Sequence, residues 1–193
     1  KLTLLSNRLQ VNAAVYRIDW QDIPVAVLGT CGSGTLANAS ESRSQGFELE
    51  AIYQFNQNFR VSFGGAYTNA ELTEDASGIG AVSGDRLPSS PEYSVNLGLQ
   101  YEFELAGHAS YVGGDYAYVN EFFNRVGETG VRVGDYGQLN MSAGVIFNDF
   151  NIELFVHNLT GEDALTYADV IVFDDRAYQL RPRTIGLNVG YQF

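Results

Sequence analysis

His157 is one of 2 histidines in this chain of 193 residues. Asn158 follows it, and the pair Asp174-Asp175 comes soon after. Histidine beside carboxylates is raw material for acid–base catalysis, because imidazole titrates near neutral pH and a carboxylate can orient it. Such a set invites a hydrolase reading. No nucleophile stands at a telling distance from it, and one histidine near an Asp pair does not make a site. We therefore expect no catalytic residue and no enzyme. Asp163, Asp169, Asp174 and Asp175 offer the carboxylate oxygens that calcium takes. They lack EF-hand spacing, so solvation is the plainer reading, or divalent-ion bridging to an anionic partner. GTCGSGT and SGIGAVSG lack the strand-to-helix context of a phosphate loop. The single Cys31 gives no disulfide framework; pairing outside this segment suits it better than reactivity. His108 reads as a polar turn residue. No metal or cofactor site is expected.

The remaining charged residues of interest, Glu48, Glu50, Arg60, Glu102 and Glu153, all fall inside alternating stretches. In Phe47 to Phe55, the odd positions read Phe, Leu, Ala, Tyr, Phe and the even ones Glu48, Glu50, Ile52, Gln54. A period of two puts successive side chains on opposite faces of a β-strand. The same pattern marks Arg8 to Trp20, Phe59 to Thr68, Tyr93 to Phe103, Leu139 to Phe147 and Ile152 to His157. Ala109 to Val119 is less regular, and its Gly113-Gly114 pair suggests a bulge or a close approach. The last stretch is the cleanest. Ile185, Leu187, Val189, Tyr191 and Phe193 take one face, and Thr184, Gly186, Asn188, Gly190 and Gln192 the other.

These segments make about eight strands of about 10–13 residues, against a usual 5–6 in soluble sheets. Their connections alternate. Long ones lie near 21–43, 73–91, 120–134 and 160–180, and short ones near 5–7, 56–58, 104–107 and 148–149. Outer-membrane barrels show this asymmetry, with long extracellular loops and short periplasmic turns. We therefore expect an all-β fold, an antiparallel transmembrane β-barrel whose C-terminus is periplasmic. A soluble barrel of the lipocalin kind would carry the apolar residues inside. Strand length opposes that, as does a polar face of Gly, Ser, Asn and Gln. So does the scarcity of lysine: Lys1 is the only one among 11 basic residues. A formal charge of −12 argues against nucleic acid, whose phosphates call for basic patches. No stretch approaches the apolar length of a membrane-spanning helix.

The segments NRLQVNAAVYRIDWQDI, SQGFELEA, GDRLPSSPEYSVNLGLQYEF, YGQLNMSAGVIF, IELFVHNLTGEDALTY and RPRTIGLNVGYQF occur in that order. Together they resemble the C-terminal part of the barrel of TonB-dependent outer-membrane receptors. The resemblance implies that residues 1–193 are about eight strands of a 22-stranded barrel with a plugged lumen. The opening KLTLLSNRL, a strand end, a turn and a strand start, is then how a fragment begins. The plug domain and the segment that engages TonB would lie elsewhere. The implied function is energised uptake of a scarce nutrient: ferric siderophore, haem, cobalamin or oligosaccharide. The implied partners are that ligand, outer-membrane lipids with lipopolysaccharide, and the TonB complex through the plug. A further implied partner is the barrel-assembly machinery, which would read Ile185, Leu187, Val189, Tyr191 and Phe193. Glu48, Glu50, Arg60, Glu102 and Glu153 would face the lumen. The alternative is a complete eight-stranded barrel with a structural or adhesion role, since eight strands can close on a filled interior.

Overall fold

The structure, a computed structural model, describes residues 1–28, 34–38, 40–128, 130–171 and 174–192. In chain order the strands are β1 (Leu2–Leu4), β2 (Leu9–Gln21), β3 (Pro24–Leu28), β4 (Gly34–Asn38) and β5 (Glu41–Gln54). β6 (Phe59–Leu72), β7 (Tyr93–Leu105), β8 (His108–Val119), β9 (Phe122–Phe123) and β10 (Arg132–Val133) follow. The series ends with β11 (Tyr136–Phe147), β12 (Phe150–His157), β13 (Leu165–Ile171), β14 (Asp174–Gln179) and β15 (Thr184–Tyr191).

One antiparallel sheet of 9 strands carries the molecule, in the order β1-β2-β5-β6-β7-β8-β11-β12-β15. Eight of these are the long segments expected from the alternation. Among the described residues the strands skipped in this order form hairpins of their own, β3 with β4, β9 with β10 and β13 with β14. All three sit in connections at the same end. The long loops thus carry strands of their own: the stretch from Leu28 to Ser44, read as aperiodic loop, contains β4 and the start of β5. That stretch is rich in Gly, Ser, Thr and Asn, which hides strand periodicity. The Gly113-Gly114 pair makes no bulge, since the register of β8 runs unbroken against both β7 and β11. Close approach is the correct half of that expectation. A Cβ on Gly114 would lie 3.0 Å from the Asn140 carbonyl oxygen.

Register converts the alternation into rows. Leu9, Tyr53, Val61, Leu99, Gly114, Met141, Val156 and Ile185 are consecutive partners across eight strands. This apolar face is bare, with Leu187 62% and Leu154 53% exposed. Aromatic rows bound it. Near the short turns, Tyr53, Phe55, Phe59, Tyr101 and Phe103 form a chain of ring contacts, and Phe150 meets Tyr191 at 5.0 Å. Near the long loops, Phe47, Tyr67 and Tyr93 form the other row. On β7, Tyr93 and Phe103 are about ten residues apart, roughly 33 Å along a strand. A tilt of about 40° projects that to about 25 Å, the height of an outer-membrane apolar band.

The residues buried by the chain itself lie mainly at the long-loop end. Ile23, Val25, Leu72, Ala76, Ala81 and Val126 form one cluster, with Ile79 and Leu87 packed on it. Ser42, Ala70 and Leu72, which stand on the polar side of their strands, are buried. The cap therefore folds over the polar face.

Candidate functional site

The polar face is the surface on which the expected polar side chains converge. Register places all five expected residues on it. Glu102, Tyr111, Gly144, Glu153 and Asn188 form one row across β7, β8, β11, β12 and β15. Arg60 and Gln100 lie in the next row, with Gly113, Ser142, Phe155 and Gly186. Glu50 pairs with Asn12 and Gly64, and Glu48 with Ala14 and Ala66.

Hydrogen bonds knit the rows together. Arg60 donates to Gln100 Oε1 at 2.8 Å, and Gln100 donates to Glu102 Oε1 at 2.9 Å. Glu153 accepts from the Tyr111 hydroxyl and from Asn188 Nδ2. The Tyr111–Glu153 contact reaches over the intervening strand β11, and Gly144 makes that possible. A Cβ there would sit 2.4 Å from the Tyr111 ring. Gly186 does the same beneath Phe155, whose ring a Cβ would meet at 2.2 Å. His157 packs on Phe155 at 4.8 Å between ring centroids. Asn140 donates to Asp115 Oδ2 at 2.8 Å. Arg60, Gln100, Tyr111, Glu153, Phe155 and His157 are among the residues lining a concavity of about 420 Å³.

The chemistry of this wall is that of a hydrogen-bonded acidic surface. Glu102 and Glu153 meet neutral donors rather than cations, and Arg60 donates to an amide. Four carboxylates of this face, Glu48, Glu50, Glu102 and Glu153, stand against one guanidinium, Arg60, which gives the face an acidic balance. Among the described residues no three His, Cys, Asp or Glu side chains are grouped to hold a metal ion.

The His157 and Asp174-Asp175 set is not assembled along the backbone. His157 pairs with Thr184 in the wall, whereas Asp174 and Asp175 pair with Ile171 and Val170 at the far end of the β13–β14 hairpin. Ile185, Leu187, Val189 and Tyr191 stand on the apolar face and are 52% exposed or more. Phe193 and Cys31 lie outside the described residues.

Asn158 was visible in the sequence only as an asparagine at a strand end, yet it is fully buried. Its φ of 52° is left-handed, a conformation asparagine tolerates. Its side chain donates to the carbonyls of Glu162 (2.8 Å) and Arg181 (3.0 Å) and accepts from the Glu162 amide (2.8 Å). Its own amide donates to Asn140 Oδ1 at 2.9 Å. One side chain thus ties both feet of the last long loop to the polar wall.

Comparison with known proteins places this architecture. The family model "TonB dependent receptor-like, beta-barrel" matches residues 1–159. The metal-pseudopaline receptor of Pseudomonas aeruginosa is 29% identical over 144 residues, covering 74% of this chain and 20% of that protein. A probable TonB-dependent siderophore receptor of Acinetobacter baumannii is 25% identical over 178 residues, covering 87% of this chain and 23% of its own. The chain thus spans about a fifth to a quarter of the length of the curated relatives it matches. Among solved structures, the ferric yersiniabactin uptake receptor of Yersinia pestis superposes with a TM-score of 0.78 at 22% identity. That match covers 94% of this chain and 27% of the receptor. The siderophore receptor of A. baumannii gives a TM-score of 0.75 at 22% identity, over 97% of this chain and 26% of that one. At such identity the structures speak for the fold.

Proposed function

The chain belongs to the TonB-dependent receptor-like β-barrel family, and from that premise we propose that residues 1–193 are a C-terminal wall segment of an energised outer-membrane transporter. Members of this family sit in the Gram-negative outer membrane and act as receptors and transporters. The observation that carries the reading is the two-faced sheet. Its bare apolar face suits lipid, and its acidic, hydrogen-bonded face suits the lumen of a wide barrel. Glu48, Glu50, Arg60, Glu102 and Glu153 line that lumen, opposite a plug domain through which TonB acts. The cargo is a scarce nutrient, with a metal–siderophore complex favoured over haem, cobalamin or oligosaccharide. The names of the metal-pseudopaline and siderophore receptors support that choice.

The hairpins at the long-loop end are extracellular, and the short turns with the C-terminus are periplasmic. The strand β15 presents Ile185, Leu187, Val189 and Tyr191 to the barrel-assembly machinery, with Phe193 closing the signal. A barrel of eight strands would pair its first and last members. Here β1 and β15 are the two outer strands of the sheet, which favours the wide barrel.

The test is uptake by cells carrying the whole receptor that contains this chain. Labelled ferric siderophores, haem, cobalamin and a maltodextrin are offered with and without a functional TonB. Accumulation of one cargo that vanishes on loss of TonB or of the proton gradient supports the reading. Accumulation indifferent to both would overturn it. Tyr191→Ser with Phe193→Ser tests the assembly signal, since normal insertion of that variant would contradict it.

A further inference from the structure

The upper boundary of the apolar face is marked by the row Val15, Phe47, Tyr67 and Tyr93. The next two rows on the same face turn polar at once: Arg17, Gln45 and Asn69, then Asp19, Arg43 and Glu71. Arg86 joins the second row through its bridge to Glu71. Arg43 stands between Asp19 and Glu71 in its row, Arg17 lies beside Asp19, and Glu41 follows one row above. The side chains of Arg17 and Arg43 share the face of Phe47 and Tyr67, so they look toward the membrane rather than the polar wall.

Asp19 is the hub of this group. It accepts from Arg17 Nε at 2.9 Å and from Arg43 Nε at 2.7 Å. Using Nε as the anchor leaves the terminal amino groups of Arg43 without an acceptor among the described residues. A guanidinium has five N–H donors in a rigid fork that matches phosphate geometry. Two forks held on one carboxylate, just above an aromatic girdle, stand at headgroup height.

We propose that Arg17 and Arg43 bind a lipid headgroup phosphate of the outer leaflet, supplied by its phosphorylated glycolipid. This rests on the reading that the apolar face meets lipid. Asp19 is a positioning residue: it orients both forks and leaves the group a net positive charge.

The experiment uses the whole receptor, extracted from outer membranes in mild detergent, with bound phosphorylated glycolipid counted per folded barrel. A heat-modifiable gel shift reports folding. Arg17→Gln with Arg43→Gln is expected to weaken lipid retention roughly thirtyfold, given the strength of two basic groups near an anionic surface. Arg17→Lys with Arg43→Lys, which keeps the charge but loses the fork, retains an intermediate amount. Arg132→Gln, which removes a charge from a loop, leaves retention unchanged. Inorganic phosphate matched to the lipid phosphate does not displace the lipid. Equal lipid on the wild type and the folded double Gln variant would overturn the proposal, as would displacement by inorganic phosphate, which would mean a free-anion site. Absence of the wild-type protein from the outer membrane would overturn the membrane reading itself, and this inference with it.

Discussion

The nine-stranded wall and the cap at its long-loop end use the same residue types in opposite ways. On the wall, Ile185 is 68% exposed and Val189 60%. In the cap, Val25 is 4% exposed and Leu72 1%. Water is the solvent for the cap, so its apolar side chains gather inward, each contributing about 1.5–3 kcal/mol by leaving water. Lipid is the solvent for the wall, where burial inside protein offers an apolar side chain no such gain. What holds the wall is the strand ladder, in which each inner strand pairs on both sides because nothing in hydrocarbon would satisfy its backbone otherwise. One sequence therefore obeys two rules, and the change falls at the aromatic row of Phe47, Tyr67 and Tyr93.

The largest test of that difference is Leu72→Ala, which should destabilise the cap by about 2–5 kcal/mol, the range for truncating a fully buried leucine. Limited proteolysis should then cut between Thr73 and Pro91, while the heat-modifiable shift of the barrel stays normal. Unchanged protection of that loop would mean the cluster around Ile23, Val25 and Val126 is not what orders it.

On the wall the contrast can be drawn between adjacent residues. Leu187 and Asn188 differ by one position, hence by a face. Leu187→Arg puts a cation into the apolar band and should cost about 2–4 kcal/mol near the midplane. Asn188→Arg points the same group toward Glu153 and should cost little. Equilibrium unfolding in detergent or bilayers measures both. Equal penalties would erase the distinction between the faces.

Much of the wall was legible because its pattern is local. A period of two survives in the sequence wherever one face must be apolar, so Glu48, Glu50, Arg60, Glu102 and Glu153 could be assigned to one face from parity alone. The cap was not legible, because its order comes from contacts among Ile23, Leu72, Ala81 and Val126, far apart in sequence and set in polar, glycine-rich stretches. The hairpins β3–β4 and β13–β14 were hidden because strands of 5 to 7 residues are too short to show a period of two. The Tyr111–Glu153 bond spans two strand spacings and depends on Gly144 between them, which only the register discloses. Asn158 shows the limit most sharply. Its type was visible, but its three side-chain hydrogen bonds reach Glu162 and Arg181, on the two sides of a loop.

Asn158 joins the two regions, and Asn158→Ala should uncouple them. Losing three buried hydrogen bonds and leaving their partners unsatisfied should cost about 2–3 kcal/mol. The loss is local. Hydrogen exchange should speed up in β13 and β14 and at Glu162, with β11 and β12 still protected. Faster exchange throughout β12 instead would mean that Asn158 supports the wall and not the loop.

The smallest effect lies at the short-turn end, where two connections between wall strands solve one problem differently. β7 and β8 are joined by Ala106-Gly107, and β11 and β12 by Asn148-Asp149; the first residue of each turn is left-handed, φ 53° at Ala106 and 52° at Asn148. In the first turn Gly107 is also at positive φ, 82°, the arrangement that two-residue hairpins favour with Asn-Gly. Asparagine tolerates that conformation and alanine pays for it, by about 1–2 kcal/mol against the right-handed region. Ala106→Asn should therefore stabilise the β7–β8 hairpin by about 1 kcal/mol, and Asn148→Ala should destabilise the β11–β12 hairpin by a similar amount. Because both turns lie in water, outside the band bounded by Phe103 and Tyr101, the change should appear in unfolding free energy without altering insertion. A change in insertion yield would show that turn formation limits assembly of the wall, a kinetic role that the strand ladder alone does not predict.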